Sequence, residues 1–400
     1  MEIHIVANAA LGDSLSGGDR IFIECARRWV ERGHRVFVYV WEEGLEMCRR
    51  NRLEGVEFVL WSAARFKKYG FAANYLMRTL TGLFAALKLK PGRGPAVVYS
   101  ASDFWPDSIP AFLMSLKLKA SWAAGFYLFA PGPFKGFSGT PRIKDLLYYL
   151  HQRPIRALVK SKARFVFVTC EDDREAFIKA GRAPGDVFTV RGGVDAKAPQ
   201  KSRGELHKDY DACFVGRFHP QKGVLELVSI WEEVVKRRKG ARLAVIGSDS
   251  AEYRRQVENA IASKGLERSI DLLGFMDAEE KYEIFRRSRV IVHPAVYDSG
   301  GMAACEGMAW GLPAVGFDLP ALRRYYPKGM LKAPAGRLDT FGELILELLE
   351  DDCLYEKTSA EAISLAMEWD WDARAGEILL FLEKRQAETA AKEGMAWERS

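Results

Sequence analysis

Five short, nearly unbroken apolar runs punctuate the second half of the chain: ACFVG (212–216), LAVIG (243–247), IDLLGF (270–275), RVIVHP (289–294) and PAVGF (313–317). Segments at helical spacing separate them, the first starting near Val224 and the next near Ala251. Strands that alternate with helices pair in parallel, and a strand apolar on both sides needs cover on both sheet faces. The first half repeats the rhythm with IHIV (3–6), RVFVYVW (35–41), VEFVL, AVVYS, RFVFV and VFTV. Between its first two runs, Ile21, Cys25 and Trp29 share one helical face and Gly33 supplies the stop. The expected fold class is α/β, with two doubly wound, Rossmann-like parallel-sheet domains.

A chain of 400 residues also exceeds what one hydrophobic core usually holds. Periodicity gives way to glycine, proline and charge at GGVDAKAPQKSRGELHKDYD (192–211), so the joint is expected there, dividing 1–191 from a second domain at 192–366. The end of the chain, 389–400, is polar and reads as a frayed tail. Six scattered cysteines without a C-x-x-C pair point to a reducing compartment and away from a zinc site. MEIHIVANAALG reads as a first strand rather than a cleaved leader, and the most apolar stretch, 71–87, carries Arg78 near its middle. A cytoplasmic location is expected.

Charge is unevenly spread. Residues 1–200 hold 30 Lys+Arg against 19 Asp+Glu, net +11, while 201–400 hold 29 against 34, net −5. The excess concentrates at 51–170, where RFKKYG and KLKPGR bracket the apolar segment 71–90. Two readings stand. Either 71–87 is an ordinary core helix with a solvated basic rim, or it lies on an anionic membrane surface at the inner face. No aromatic-basic motif supports nucleic acid as a partner.

Ligands of open parallel sheets bind at the carboxyl ends of the strands. ACFVG ends there in GRFHPQKG (216–223), with Gly216 at the turn and Arg217 and Lys222 beside the start of a helix. Unpaired N–H groups and two cations at a helix mouth suit a diphosphate, although a solvated loop would carry the same residues. RVIVHP leads into YDSGGMAACEGMAWGLP (297–313). There Asp298, Ser299, Gly300 and Gly301 precede a short helix from Met302 to Trp310, and Glu306 lies on its second turn among small apolar residues. Helix-dipole complementation explains Asp298; a carboxylate in Glu306's surroundings asks for a partner, for which ribose hydroxyls qualify. Asp103 and Asp107, in SASDFWPDS, either orient an acceptor hydroxyl or cap the following helix, the cap being preferred. Asp370 and Asp372 read as a helix start rather than a metal site.

GRFHPQKG, followed some eighty residues on by D-x(7)-E and then GLPAV, resembles the retaining glycosyltransferases of family 4, which have the GT-B fold. SGGDR (16–20) with ERGH (31–34), and RGGVD (191–195), are similar to that family's first loop and its step into the second domain. The resemblance implies a metal-independent hexosyltransferase that moves a sugar from a UDP- or GDP-sugar to a glycan, lipid-linked or small-molecule hydroxyl, as in cell-envelope glycan biosynthesis. It implies no prosthetic group. Arg217 and Lys222 would hold the diphosphate, Glu306 the ribose, and Asp298 would stand near the transferred sugar where the family has glutamate. The backbone of Ser299, Gly300 and Gly301 would touch sugar or phosphate, Gly17 and Gly18 would close over the donor, and the base would lie by Gly274, Phe275 and Met276. Residues 367–388 would form a last helix crossing back to the first domain. Where relatives carry a cleft histidine, Tyr127 or Phe126 stands here, and a tyrosine is a poor base near neutral pH. The alternatives are a non-catalytic or weakly active nucleotide-sugar-binding protein and a GT-B phosphorylase.

Overall fold

The structure, a computed structural model, describes residues 1–11, 15–90, 95–132, 134, 143–190, 192–201, 207–247, 251–276, 278–298 and 300–397. The chain divides into two compact units, 1–130 with 146–192 and 371–400, and 131–145 with 193–370.

The first unit alternates β1 (Glu2–Val6), α1 (Gly17–Glu31), β2 (Arg35–Val40), α2 (Glu42–Arg50), β3 (Glu57–Leu60), α3 (Phe71–Leu87), β4 (Ala96–Ser100), α4 (Trp105–Leu118), β5 (Ser121–Gly125), α5 (Ile143–Lys162), β6 (Phe165–Val168), α6 (Glu171–Lys179) and β7 (Val187–Thr189). Its strands form one parallel sheet in the order β3-β2-β1-β4-β5-β6-β7. Strands β4 and β6 are buried at every position, as apolar runs require when helices cover both faces. Chain direction across the sheet reverses between β1 and β4, and the loops after them meet at that switch point. There Ser16 and Asp19 form a reciprocal capping box that starts α1.

The helix α3 is packed the opposite way from an ordinary core helix. Its buried positions are Asn74, Arg78, Thr79, Gly82 and Ala86. Arg78 donates to the carbonyls of Asn8 and Ala9, and Asn8 donates back to the Arg78 carbonyl at 2.9 Å. Gly82 sits where a Cβ would come within 2.8 Å of Pro110 and Trp61. Of the two readings of 71–87, the ordinary apolar core helix does not hold, because the residues it buries are polar and small ones, set against Pro110 of α4, Trp61 and the loop after β1.

The second unit carries α7 (Ala198–Lys201), β8 (Tyr210–Val215), α8 (Val224–Arg237), β9 (Leu243–Ile246), α9 (Ala251–Ser263), β10 (Ile270–Gly274), α10 (Ala278–Arg286), β11 (Ser288–His293), α11 (Met302–Ala309), β12 (Ala314–Phe317), α12 (Pro320–Tyr325), β13 (Met330–Ala333), α13 (Leu338–Glu350) and α14 (Asp352–Met367). The sheet is parallel throughout, ordered β10-β9-β8-β11-β12-β13, with its switch point between β8 and β11. A final helix, α15 (Trp371–Trp397), belongs to the first unit. Trp29 Nε1 donates to the Ala375 carbonyl at 3.0 Å, and Arg28 Nε donates to Asp372 at 2.6 Å. The tail expected to fray from 389 is helical to Trp397.

Glycine lets the strand-end loops of the second unit touch backbone to backbone. A Cβ at Gly247 would fall 1.8 Å from the Gly216 carbonyl oxygen, and one at Gly223 1.9 Å from that of Pro294. Both residues have positive φ, +145° and +68°. Gly247→Ala should destabilise the second unit by about 3 kcal/mol, read as a lowered thermal midpoint. An unchanged midpoint would mean the loops are not in contact.

Candidate functional site

Lys222 ends a single 3-10 turn, Pro220–Lys222, whose start is capped by His219. Gly223 then turns the chain into α8, and Val296 N donates to the Gln221 carbonyl at 3.0 Å. These contacts fix the loop after β8 against the loop after β11. Across that seam Lys222 Nζ donates to Asp298 Oδ2 at 2.6 Å. His293, the last residue of β11, donates from Nε2 to the same oxygen at 3.1 Å. The other oxygen, Oδ1, accepts the backbone N–H groups of Gly300 and Gly301, both at 3.0 Å. A carboxylate offers about four acceptor positions, so Asp298 is fully used.

Burial alone would raise the Asp298 carboxyl. The Lys222 ammonium, helped by His293, outweighs burial and holds the group well below the usual carboxylate range. The Asp298 side chain is 8% exposed and that of Lys222 23%. Gly300 and Gly301 are clamped from the other side too, since Tyr326 Oη donates to their carbonyls at 3.0 and 2.7 Å. Gly301 (φ +63°) has no room for a Cβ, which would lie 2.8 Å from Leu322.

Three sequence expectations change as a result. Asp298 was expected beside a sugar but has no acceptor position left for a sugar hydroxyl. The N–H groups of Gly300 and Gly301, expected on the ligand, are held by Asp298. Glu306 was expected to lack a protein partner, yet Lys281 of α10 donates to Glu306 Oε2 at 2.6 Å. Ser299 lies outside the described residues. The helix α11 ends at Ala309 rather than Trp310. Arg217 is exposed and makes no hydrogen bond or ion pair among the described residues, so of this set it is the cation with its donors uncommitted. Gly216 adjoins Gly247, and Gly247 N donates to the Gly274 carbonyl at 2.8 Å, which ties the ends of β8, β9 and β10 together. Phe275 is 57% exposed beyond them and Met276 half-buried.

The first unit gathers its own set at the β1–β4 switch point. Gly17 and Gly18 open α1, and a Cβ on Gly18 would come within 3.0 Å of the Tyr127 ring. Tyr127 shares a hydrogen bond with Tyr99, and burial pushes its phenol well above the usual value, which removes it as a base. Neither aspartate caps α4, whose cap position is Phe104 without a side-chain hydrogen bond. Instead Asp107 accepts from Ala9 N at 2.7 Å and from Ser102 Oγ, and Asp103 accepts from Gln152 Nε2 at 2.8 Å. Burial, opposed by those hydrogen bonds, raises Asp107 to about 8 and Asp103 to about 6. Among the described residues no group of three or more His, Cys, Asp or Glu side chains could hold a metal ion.

His293, Lys281 and Tyr326 are site residues that sequence reasoning passed over. Only His293 left a signal, as a polar residue closing an apolar strand immediately before the glycine loop.

Residues 196–365 match the family described as Glycosyl transferases group 1. The chain is 29% identical over 217 residues to the phosphatidyl-myo-inositol mannosyltransferase of Mycobacterium leprae, covering 52% of this chain and 55% of that one. It is 24% identical over 159 residues to the GDP-mannose:cellobiosyl-diphosphopolyprenol alpha-mannosyltransferase of Xanthomonas oryzae pv. oryzae, covering 40% and 41%. The chain thus spans about half the length, or less, of these curated relatives. Among solved structures, Anabaena HepE in complex with UDP and glucose superimposes with a TM-score of 0.73 at 14% identity, covering 96% of this chain and 99% of that one. The sucrose-phosphate synthase of Thermosynechococcus elongatus gives 0.74 at 15%, covering 97% and 99%. Two Rossmann-like units of the GT-B kind are the fold these neighbours share with the chain, and the family resemblance read from the motifs holds.

A carboxyl whose folded-state value is depressed stabilises the fold above its unfolded value, about 4, and that stabilisation is lost as pH falls through the folded value. Asp298→Asn should therefore cost about 3 kcal/mol near neutral pH, with the gap to the parent protein closing below about pH 4. Thermal melts across pH check this, and a gap independent of pH would contradict the ionised network.

Proposed function

Starting from a chain that resembles the group 1 glycosyl transferases over its second unit, we propose that this unit binds a nucleoside-diphosphate sugar at the β8–β11 switch point. The chain then transfers the sugar with retention, without a metal ion. The observation that carries this reading is the Lys222 ammonium, fixed by Asp298 at the mouth of α8, with the uncommitted Arg217 guanidinium in the same loop. A diphosphate at that mouth would find a positive helix end and two cations. Glu306 is proposed to exchange Lys281 for the ribose hydroxyls, and Gly274, Phe275 and Met276 to flank the base. The mannosyl donors implied by the relatives' names and the UDP bound in the neighbour support a nucleotide-sugar donor.

In the proposed reaction the bond from the anomeric carbon to the diphosphate oxygen breaks as the acceptor hydroxyl adds from the same face. The departing phosphate takes the hydroxyl proton, and Arg217 and Lys222 stabilise the charge left on the nucleoside diphosphate. No side-chain base is needed, which accords with a Tyr127 phenol too weakly acidic to serve. A glycan, lipid-linked or small-molecule hydroxyl is the proposed acceptor, received by the first unit, with Asp103 and Asp107 at its strand ends.

A second reading, donor binding with slow or absent turnover, is favoured by one observation: all four acceptor positions of Asp298 are filled by protein donors. Turnover with a nucleotide sugar separates the two readings.

Lys222→Ala should weaken nucleoside-diphosphate binding at least tenfold, about 1.4 kcal/mol, in calorimetry. Equal affinity in a folded variant would displace the donor from this loop.

A further inference from the structure

We propose that the outward face of α3, with the basic segments at its two ends, is a docking surface for an anionic lipid bilayer. With 3.6 residues per turn, the positions opposite the buried Asn74, Arg78, Thr79, Gly82 and Ala86 are Leu76, Met77, Leu80, Leu83, Phe84 and Leu87. Leu76 is 49% exposed, Phe84 59% and Leu87 46%. At the start of the helix, Tyr69 and Phe71 are 64% and 69% exposed. An outward apolar stripe on a helix that buries its polar residues has no folding rationale. Burying Arg78 requires two backbone carbonyls from the loop after β1, and the unit supplies them while Leu76, Phe84 and Leu87 stay exposed and Met77, Leu80 and Leu83 half-buried. Exposed apolar side chains gathered on one helix face in this way mark an interaction site.

Charge selects the occupant. Residues 58–102 contain seven Lys and Arg and no Asp or Glu. Arg65, Lys67 and Lys68 lie in the turn of 3-10 helix that leads into α3, and Lys88 and Lys90 follow its end. All five are exposed, and among them Lys67 is committed to Glu43. A rod of 17 residues, about 26 Å long, with an apolar stripe along its side and cations at both ends fits a flat interface with acidic headgroups. The stripe is too short to span one, and no described helix is long and apolar enough to cross a membrane. The other possible occupant, a second copy of this chain, would bring the same cations face to face.

Flotation with vesicles tests the surface. The protein should float with vesicles of 7:3 phosphatidylcholine to phosphatidylglycerol, about, and remain below with phosphatidylcholine alone, and raising NaCl from about 0.1 to 0.5 M should release it. Leu76→Asp/Phe84→Asp should lower partitioning at least tenfold without changing the thermal midpoint, since both side chains point outward. Leu380→Asp, at an exposed leucine on α15, should partition as the parent does. Equal binding to neutral and anionic vesicles, or an unaffected double variant, would overturn the proposal. So would a dimer seen by light scattering that the double variant dissolves, because a second copy would then cover the stripe.

Discussion

A carboxylate taken out of water at the end of a parallel sheet must find its hydrogen-bond donors in the protein, and Asp298 draws them from three pieces of chain. Lys222 comes from the loop after β8, His293 from the tip of β11, and the N–H groups of Gly300 and Gly301 from the approach to α11. The same contacts therefore set the position of a cation, the exit of a strand and the start of a helix. Removing the side chain would leave a half-buried ammonium unpaired and two amides without an acceptor, which is costly. The glycines around it are the steric complement: close approach at Gly223 and Gly247 is what brings the loops near enough for side chains to bridge them.

This arrangement fixes an ion pair, Lys222 with Asp298, at the mouth of α8. Lys222 is held by a partner that is itself fully hydrogen-bonded, so an anion at the proposed site would cost Lys222 little further side-chain freedom. Arg217 stands in contrast, exposed and uncommitted, able to turn toward either oxygen of a phosphate pair. The first unit shows the opposite economy. Its switch-point carboxyls, Asp103 and Asp107, meet neutral donors, so burial prevails and their proton affinity rises. One unit thus holds a carboxyl pushed down by a cation at its strand ends, and the other holds two pushed up by burial.

Much of the architecture was legible because parallel strands covered on both faces must read as short apolar runs, and those runs survive in any order of the sheet. The motif GRFHPQKG and the spacing from Asp298 to Glu306 located the switch point of the second unit. What could not be read was pairing across long separations. Nothing local ties Lys222 to a residue 76 positions away, or Lys281 to one 25 away, so Asp298 was assigned to a sugar and Glu306 to a ribose without their protein partners. Asp107 looked like a helix cap because it stands in a first turn, whereas its donor, Ala9, is 98 residues distant. The helix α3 misled for a related reason: hydropathy counts apolar residues, but only the carbonyls near residues 8 and 9 decide that Arg78 goes inside.

The most direct measurement is a crystal structure of the protein with a nucleoside diphosphate. The account places the β-phosphate within hydrogen-bond reach of Lys222 Nζ and the Arg217 guanidinium, with Asp298 still accepting from Gly300 and Gly301. A nucleotide bound away from the loop after β8, with neither cation touching a phosphate oxygen, would contradict it.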